Sequence, residues 1–314
     1  MKSSAVPPES SPDTDARLVD GPGTATSHGY GEGRPIEVEA RPASCPTDDT
    51  PNLTIRRPTW LPLLLLGGTI FLVGSSVQAQ EAGDAPPSGR DITRPLQRID
   101  LRVEHADEGD ENSTTFTLRH DRPVELGDGW RANLRMDLPF KRVEDAGEDA
   151  SFGPGEMLVQ AIFVREIGAQ GFGFGTQVII PTASGNALGR GQWRLRPTAG
   201  YRWSTPSISK GSYFQAVARY DFSIASEHGR GETRELQFSP NLEIELPGEA
   251  YFSVFPSTDI RYNFSTDEFF LPANVEVGKQ WGRAIMSLEG GAAVISGDGA
   301  PYKWKLEARV GYRF

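Results

Sequence analysis

The chain is poor in cysteine, histidine, aliphatic residues and net positive charge, and each shortage excludes something. The one cysteine in 314 residues, Cys45, lies in a polar N-terminal stretch, so no intrachain disulfide can form. An exported domain without disulfides must draw its stability from elsewhere. Cys45 follows Pro42-Ala43-Ser44 with no apolar run before it, which does not fit a lipoprotein anchor. Of the four histidines, only His105, His120 and His228 follow residue 80, and none begins the His-x-Ser pattern expected of an outer-membrane phospholipase. No Gly-x-Ser-x-Gly and no Cys/His spacing suited to a metal occurs. The expectation is therefore no enzyme, no catalytic residues, no metal and no cofactor. A net charge of −10 argues against nucleic acid as a partner. Hydrophobic residues reach only 37%, yet aromatics reach 10% and glycine is abundant. That mixture suits either a disordered chain or a β-protein with one wet face.

One apolar run is present, Trp60 to Val73, preceded by Arg56-Arg57 and followed by small residues around Val77 and Ala79. A basic flank, a short apolar centre and an Ala-type cleavage site predict a secretory signal over 56–79. The run is shorter than the roughly 20 residues a membrane-spanning helix needs. Pro58 and Thr59 fit a twin-arginine signal poorly, and a barrel crosses the inner membrane unfolded, so the general secretory route is expected. Residues 1–55 are rich in Pro, Ser, Gly and acids and cannot bury a core. They are expected to be a disordered upstream extension outside the translated product, with translation starting near Thr54, because no Met lies between Met1 and Met136. Residues 80–95 are assigned as a periplasmic N-terminal segment.

From residue 96 onward the pattern has period two, in stretches of about ten residues separated by Gly, Asp, Ser and Pro, the length a strand crossing a membrane needs. Trp130, Ala132, Leu134, Met136 and Leu138 alternate with Arg131, Asn133, Arg135 and Asp137. The same alternation runs through 97–105, 113–121, 171–181, 192–203, 211–224, 234–246, 249–262, 268–279, 282–294 and 302–314. The stretch 156–166 is apolar on both faces, which alternation alone leaves unexplained. Together these segments predict an all-β fold over 96–314, a transmembrane antiparallel up-and-down β-barrel of about 12 strands in the outer membrane of a Gram-negative cell. Lipid and lipopolysaccharide are then the surrounding partners. The last stretch puts Tyr302, Trp304, Leu306, Ala308, Val310, Tyr312 and Phe314 on one face. Tyr312 and the terminal Phe314 resemble the closing-strand signal read by the barrel-assembly machinery, a partner during insertion.

The polar face would line the lumen. Its candidates are Arg131, Arg135, Arg194, Arg196, Arg219, Asp221, Glu243, Asp259, Arg261, Glu289, Glu307 and Arg309. These could form a polar path for a small-molecule solute. They could equally form a ladder of ion pairs that plugs the barrel and leaves it a structural anchor or interaction surface. Barrels of about 8 strands are filled and those of 16 or more hold water, so about 12 leaves both readings open.

Gly171-Phe172-Gly173-Phe174-Gly175-Thr176-Gln177 running into Ile180-Pro181-Thr182-Ala183-Ser184, with Leu188-Gly189-Arg190-Gly191-Gln192-Trp193 and Leu271-Pro272 before Val275, Val277, Gly278 and Lys279, resembles the outer-membrane MetA-pathway phenol-degradation family. The resemblance covers most of residues 95–314. It implies a barrel passing small molecules, hydrophobic or aromatic ones among them, and carries no catalytic residues.

Overall fold

Alternating side chains give a strand two unlike faces, and burying neither face of a sheet in a protein core requires lipid on one side and a lumen on the other. The chain realises this in a computed structural model that describes residues 88–145, 149–226, 231–297 and 299–314. The stretches expected at 1–55 and 56–79, and residues 80–87, lie outside the described residues. Fourteen strands follow in order: β1 (Arg98–Asp107), β2 (Glu111–Gly127), β3 (Trp130–Asp145), β4 (Ser151–Pro154), β5 (Met157–Ile167), β6 (Gln170–Ile180), β7 (Gln192–Ser204), β8 (Tyr213–Ser226), β9 (Arg234–Leu246), β10 (Ala250–Val254), β11 (Ile260–Asn263), β12 (Glu268–Trp281), β13 (Ala284–Ile295) and β14 (Trp304–Arg313). A short 3-10 turn, Asn186–Leu188, lies between β6 and β7.

Neighbouring strands pair antiparallel, and β1 pairs β14 from Arg98↔Arg313 to Asp107↔Trp304, which closes the sheet. Strands β10 and β11 are halves of one strand, since each pairs with both β9 and β12. β4 pairs only with the far end of β3. The result is a closed barrel of twelve antiparallel strands, the number the alternation predicts. Closure leaves no open edge in the hydrocarbon region.

Two local expectations change. The stretch 249–262 is not continuous: Phe255 adopts a left-handed backbone with φ of 52°, Pro256 follows, and residues 255–259 leave the ladder. Proline cannot donate to a strand ladder, so Pro256 marks the break. Tyr302 does not share the outward face of the last strand: β14 begins at Trp304, and Tyr302 is buried with its hydroxyl donating to Asp259 at 3.0 Å.

The outer face is apolar. Leu101, Leu288 and Val310 are 50%, 47% and 51% exposed, on neighbouring strands. Aromatic pairs gather at both rims. Trp130 meets Phe172 at 5.4 Å and Trp203 meets Phe214 at 5.7 Å near the end carrying the strand termini. His105 with Trp304 (5.4 Å) and Tyr220 with Phe264 (6.0 Å) mark the other. Aromatic girdles around an apolar band are what the two interfaces of a bilayer select.

Candidate functional site: a lumen crossed by the N-terminal segment

Before β1, residues 88–96 enter the barrel at the end holding the strand termini and cross the bore. The Ser88 hydroxyl donates to Glu243, and the Ser88 carbonyl accepts from Arg98 at 3.3 Å and Arg309 at 3.0 Å. The Asp91 carboxylate pairs with Arg202 at 2.7 Å and accepts the Thr93 backbone N–H and hydroxyl at 2.8 and 2.7 Å, a side-chain-capped turn that fixes the segment locally. The Ile92 N–H donates to Gln215 at 2.7 Å, the Thr93 carbonyl accepts from Arg131 at 3.3 Å, and Arg94 reaches Glu166 at 2.7 Å. The segment thus runs from the β9 and β14 wall to the β5 and β7 wall. Alternation gave no sign of this placement, and the described part of the 80–95 stretch lies among lumenal side chains.

The walls explain the seating. Register aligns Glu104, Glu307, Glu289 and Glu276 on consecutive strands β1, β14, β13 and β12. Four carboxylates in a row inside a barrel repel one another unless cations intervene. Arg90 does so, bonding Glu276, Glu289 at 2.8 Å and Glu307 at 3.5 Å, with Lys305 at 3.0 Å from Glu289 and 3.7 Å from Glu104. Burial alone would lower the Arg90 guanidinium, but Glu276, then Glu289 and Glu307, raise it well above its ordinary value, so it stays charged.

On the opposite wall the fit is steric. The inward positions of β6 are Gly171, Gly173 and Gly175, while Phe172 and Phe174 turn outward. A Cβ on Gly171 would come within 2.5–2.9 Å of the Thr93 side chain, and one on Gly200 would meet Ile92 and Val217 at 3.2 Å. Missing side chains here make room for the segment. The glycine strip also accounts for the second apolar face of 156–166: Ile162 and Val164 face inward beside Gly173 and are 1% and 0% exposed.

Beyond the segment a polar cavity of about 470 Å³ extends toward the loop end. All twelve sequence candidates sit on the inward side, and the segment divides them. Arg135, Arg194, Arg196, Arg219, Asp221, Asp259 and Arg261 line the cavity. Arg131, Glu243, Glu289, Glu307 and Arg309 instead bond to residues 88–93. Residues 255–259, expelled from the strand ladder, also project inward. The Ser257 hydroxyl donates to Glu289 at 2.9 Å, Thr258 accepts from Arg219, and Asp259 pairs with Lys305 at 2.5 Å and Arg261 at 3.4 Å. Sequence reasoning missed Arg90, Asp91 and Thr93, which lie in a stretch without periodicity. The signal that points to them is the row of inward glycines on β6. Tyr312 and Phe314 face outward, 5.5 Å apart edge-to-face, and the Phe314 N–H donates to the Gln97 carbonyl at 3.1 Å. His105 bonds Thr114 at 3.0 Å, and His228 lies outside the described residues.

No protein-family model matches the chain, and no curated protein matches it. Among solved structures, the chain is similar to an outer membrane channel from Pseudomonas putida F1, with a TM-score of 0.57, 15% identity, and coverage of 70% of this chain and 97% of that one. The NanC porin (TM-score 0.46, 10% identity, 69% of this chain and 98% of that one) and the KdgM porin (0.42, 13%, 69% and 99%) align too weakly to carry any argument. At such identities the likeness shows the fold, that of an outer-membrane β-barrel. It supports the barrel part of the family resemblance and leaves the phenol-degradation assignment unsupported.

Proposed function

We propose that the protein is an outer-membrane channel for small polar solutes, exported by the general secretory route, whose bore is narrowed at one end by residues 88–96. The observation that carries this reading is the cavity: it is lined by charged and amide side chains, and from the wall only Leu158, Ile162 and Val217 bring apolar groups to it. A wet, charged path suits passive diffusion of polar molecules. The hydrophobic or aromatic solutes implied by the family resemblance find little apolar wall along this route. Lipid and lipopolysaccharide would surround the apolar band.

A second reading has its own support. Arg90 among three carboxylates and Thr93 against Gly171 hold the segment in place, as a permanently plugged anchor would require. Planar-bilayer conductance of the full chain, beside a variant lacking residues 80–96, separates the two. The channel reading expects measurable conductance from the full chain and more from the variant. Silence from both, with the barrel shown intact by heat-modifiable gel migration, would leave the anchor reading.

A further inference from the structure

Eleven arginines and lysines line the cavity with seven carboxylates, and carboxylates behind the lining compensate several of the eleven: Glu276, Glu289 and Glu307 at Arg90, Asp100 at Arg98 and Arg102, and Glu156 at Arg194. The carboxylates are shared: Asp221 takes Arg194 and Arg196 at 2.6 and 2.7 Å, and Asp121 takes Arg98 and Arg135 at 3.0 and 2.6 Å. Arg119 has Asp137 at 2.6 Å to itself. Arg219 on β8 is left over. Among the described residues it makes no ion pair, its guanidinium donates to the neutral Thr258 hydroxyl, and its Nε is buried with no partner. Arg196, Arg135 and Arg119 line the same cavity.

A half-buried cation without an anionic partner, in a cavity shared with other cations, is costly unless an anion joins it. We propose that the cavity holds a site for a small oxyanion, carboxylate or phosphate, seated on Arg219 and flanked by Arg196, Arg135 and Arg119. The guanidinium fork matches the paired oxygens of either group, and such charge-assisted bonds are the strong ones. The volume suffices for a small organic anion. The amides of Gln160, Gln177 and Gln237 also line the cavity and can hydrogen-bond the rest of a polar solute. The site deepens the channel reading by naming its solute class and rests on that reading only for the solute's route.

Equilibrium binding tests the site without requiring conduction. The full chain, purified in detergent, is titrated calorimetrically with inorganic phosphate and, separately, with succinate in low-salt buffer, and the reversal potential is read in planar bilayers across a salt gradient. Saturable heat with either anion is expected, and which one binds distinguishes the two sources. Arg219→Gln should weaken binding about tenfold or more and move the reversal potential toward cations. Arg219→Lys, which keeps the charge and loses the fork, should fall between them. Should R219Q fail the heat-modifiable migration check, R219K and the dose-dependent effect of phosphate on the unmodified channel's current decide instead. No binding of either anion, or binding unchanged in the Arg219 variants, overturns the site even if the barrel conducts. Binding by a barrel that never conducts keeps the site and removes the channel reading.

Discussion

Arg90 is where a single side chain decides what the lumen is. Its guanidinium compensates Glu276, Glu289 and Glu307 at once, where every other cation of the row meets only some of them: Arg309 meets Glu276, Lys305 meets Glu289 and Arg102 meets Glu307. Arg90→Gln removes the cation these three carboxylates share and with it the segment's ion pairs to that row, and removing one partner from a buried ionic group costs about 3–5 kcal/mol. The expected result is release of residues 88–96 with the barrel retained: amide exchange in the segment speeds up while strand amides stay protected. Unchanged protection of the segment would show that Arg90 does not hold it. The twelve inward candidates were legible because alternation assigns every second side chain to one face. Arg90 was not, because an irregular segment has no period from which a face can be read, and its partners are set by barrel closure.

Strands were legible for the same reason, and the exceptions have causes within the elements. Pro256 breaks the ninth barrel strand, a signal present in the sequence that the surrounding alternation from Tyr251 to Tyr262 masked. The doubly apolar β5 becomes intelligible only once Ile162 and Val164 are seen to face inward beside Gly173 of the glycine strip. Glycines on β6 make the complementary case, since Gly171→Val places branched carbon where Thr93 sits. The wall strand is paired on both sides and cannot yield easily, so the segment should leave, and conductance of this variant should approach that of a chain lacking residues 80–96. Conductance equal to the unmodified chain's would mean that the seat tolerates the branch. The lipid face gives an independent check. Leu288 is 47% exposed on the outward side of β13, between Val277 and Ala308. Leu288→Arg should destabilise the barrel by about 2–4 kcal/mol if it lies near the bilayer midplane, read as a lower urea midpoint in liposomes. No shift would argue that this face does not meet hydrocarbon.

At the scale of the whole molecule the lumen has two unlike stages. Near the strand termini the wall is acidic, with Glu243, Glu276, Glu289 and Glu307 neutralised or hydrogen-bonded by Ser88 and Arg90 of the segment. Toward the loops the lining cations are paired, Arg194 and Arg196 with Asp221 and Arg119 with Asp137, except Arg219, which makes no ion pair among the described residues. With the segment in place, Arg219 is the uncompensated charge a passing ion meets, and anions should be favoured. Removing residues 80–96 takes Arg90 away and exposes the acidic row to water, adding a stage that attracts cations. Truncation should therefore raise conductance and also move the reversal potential toward cations, and added salt should shrink that move as screening grows. A merely wider bore predicts the first change without the second. Measured in the same salt gradient, higher current with an unaltered reversal potential would show that the acidic row does not govern passage, and that the segment acts by bulk alone.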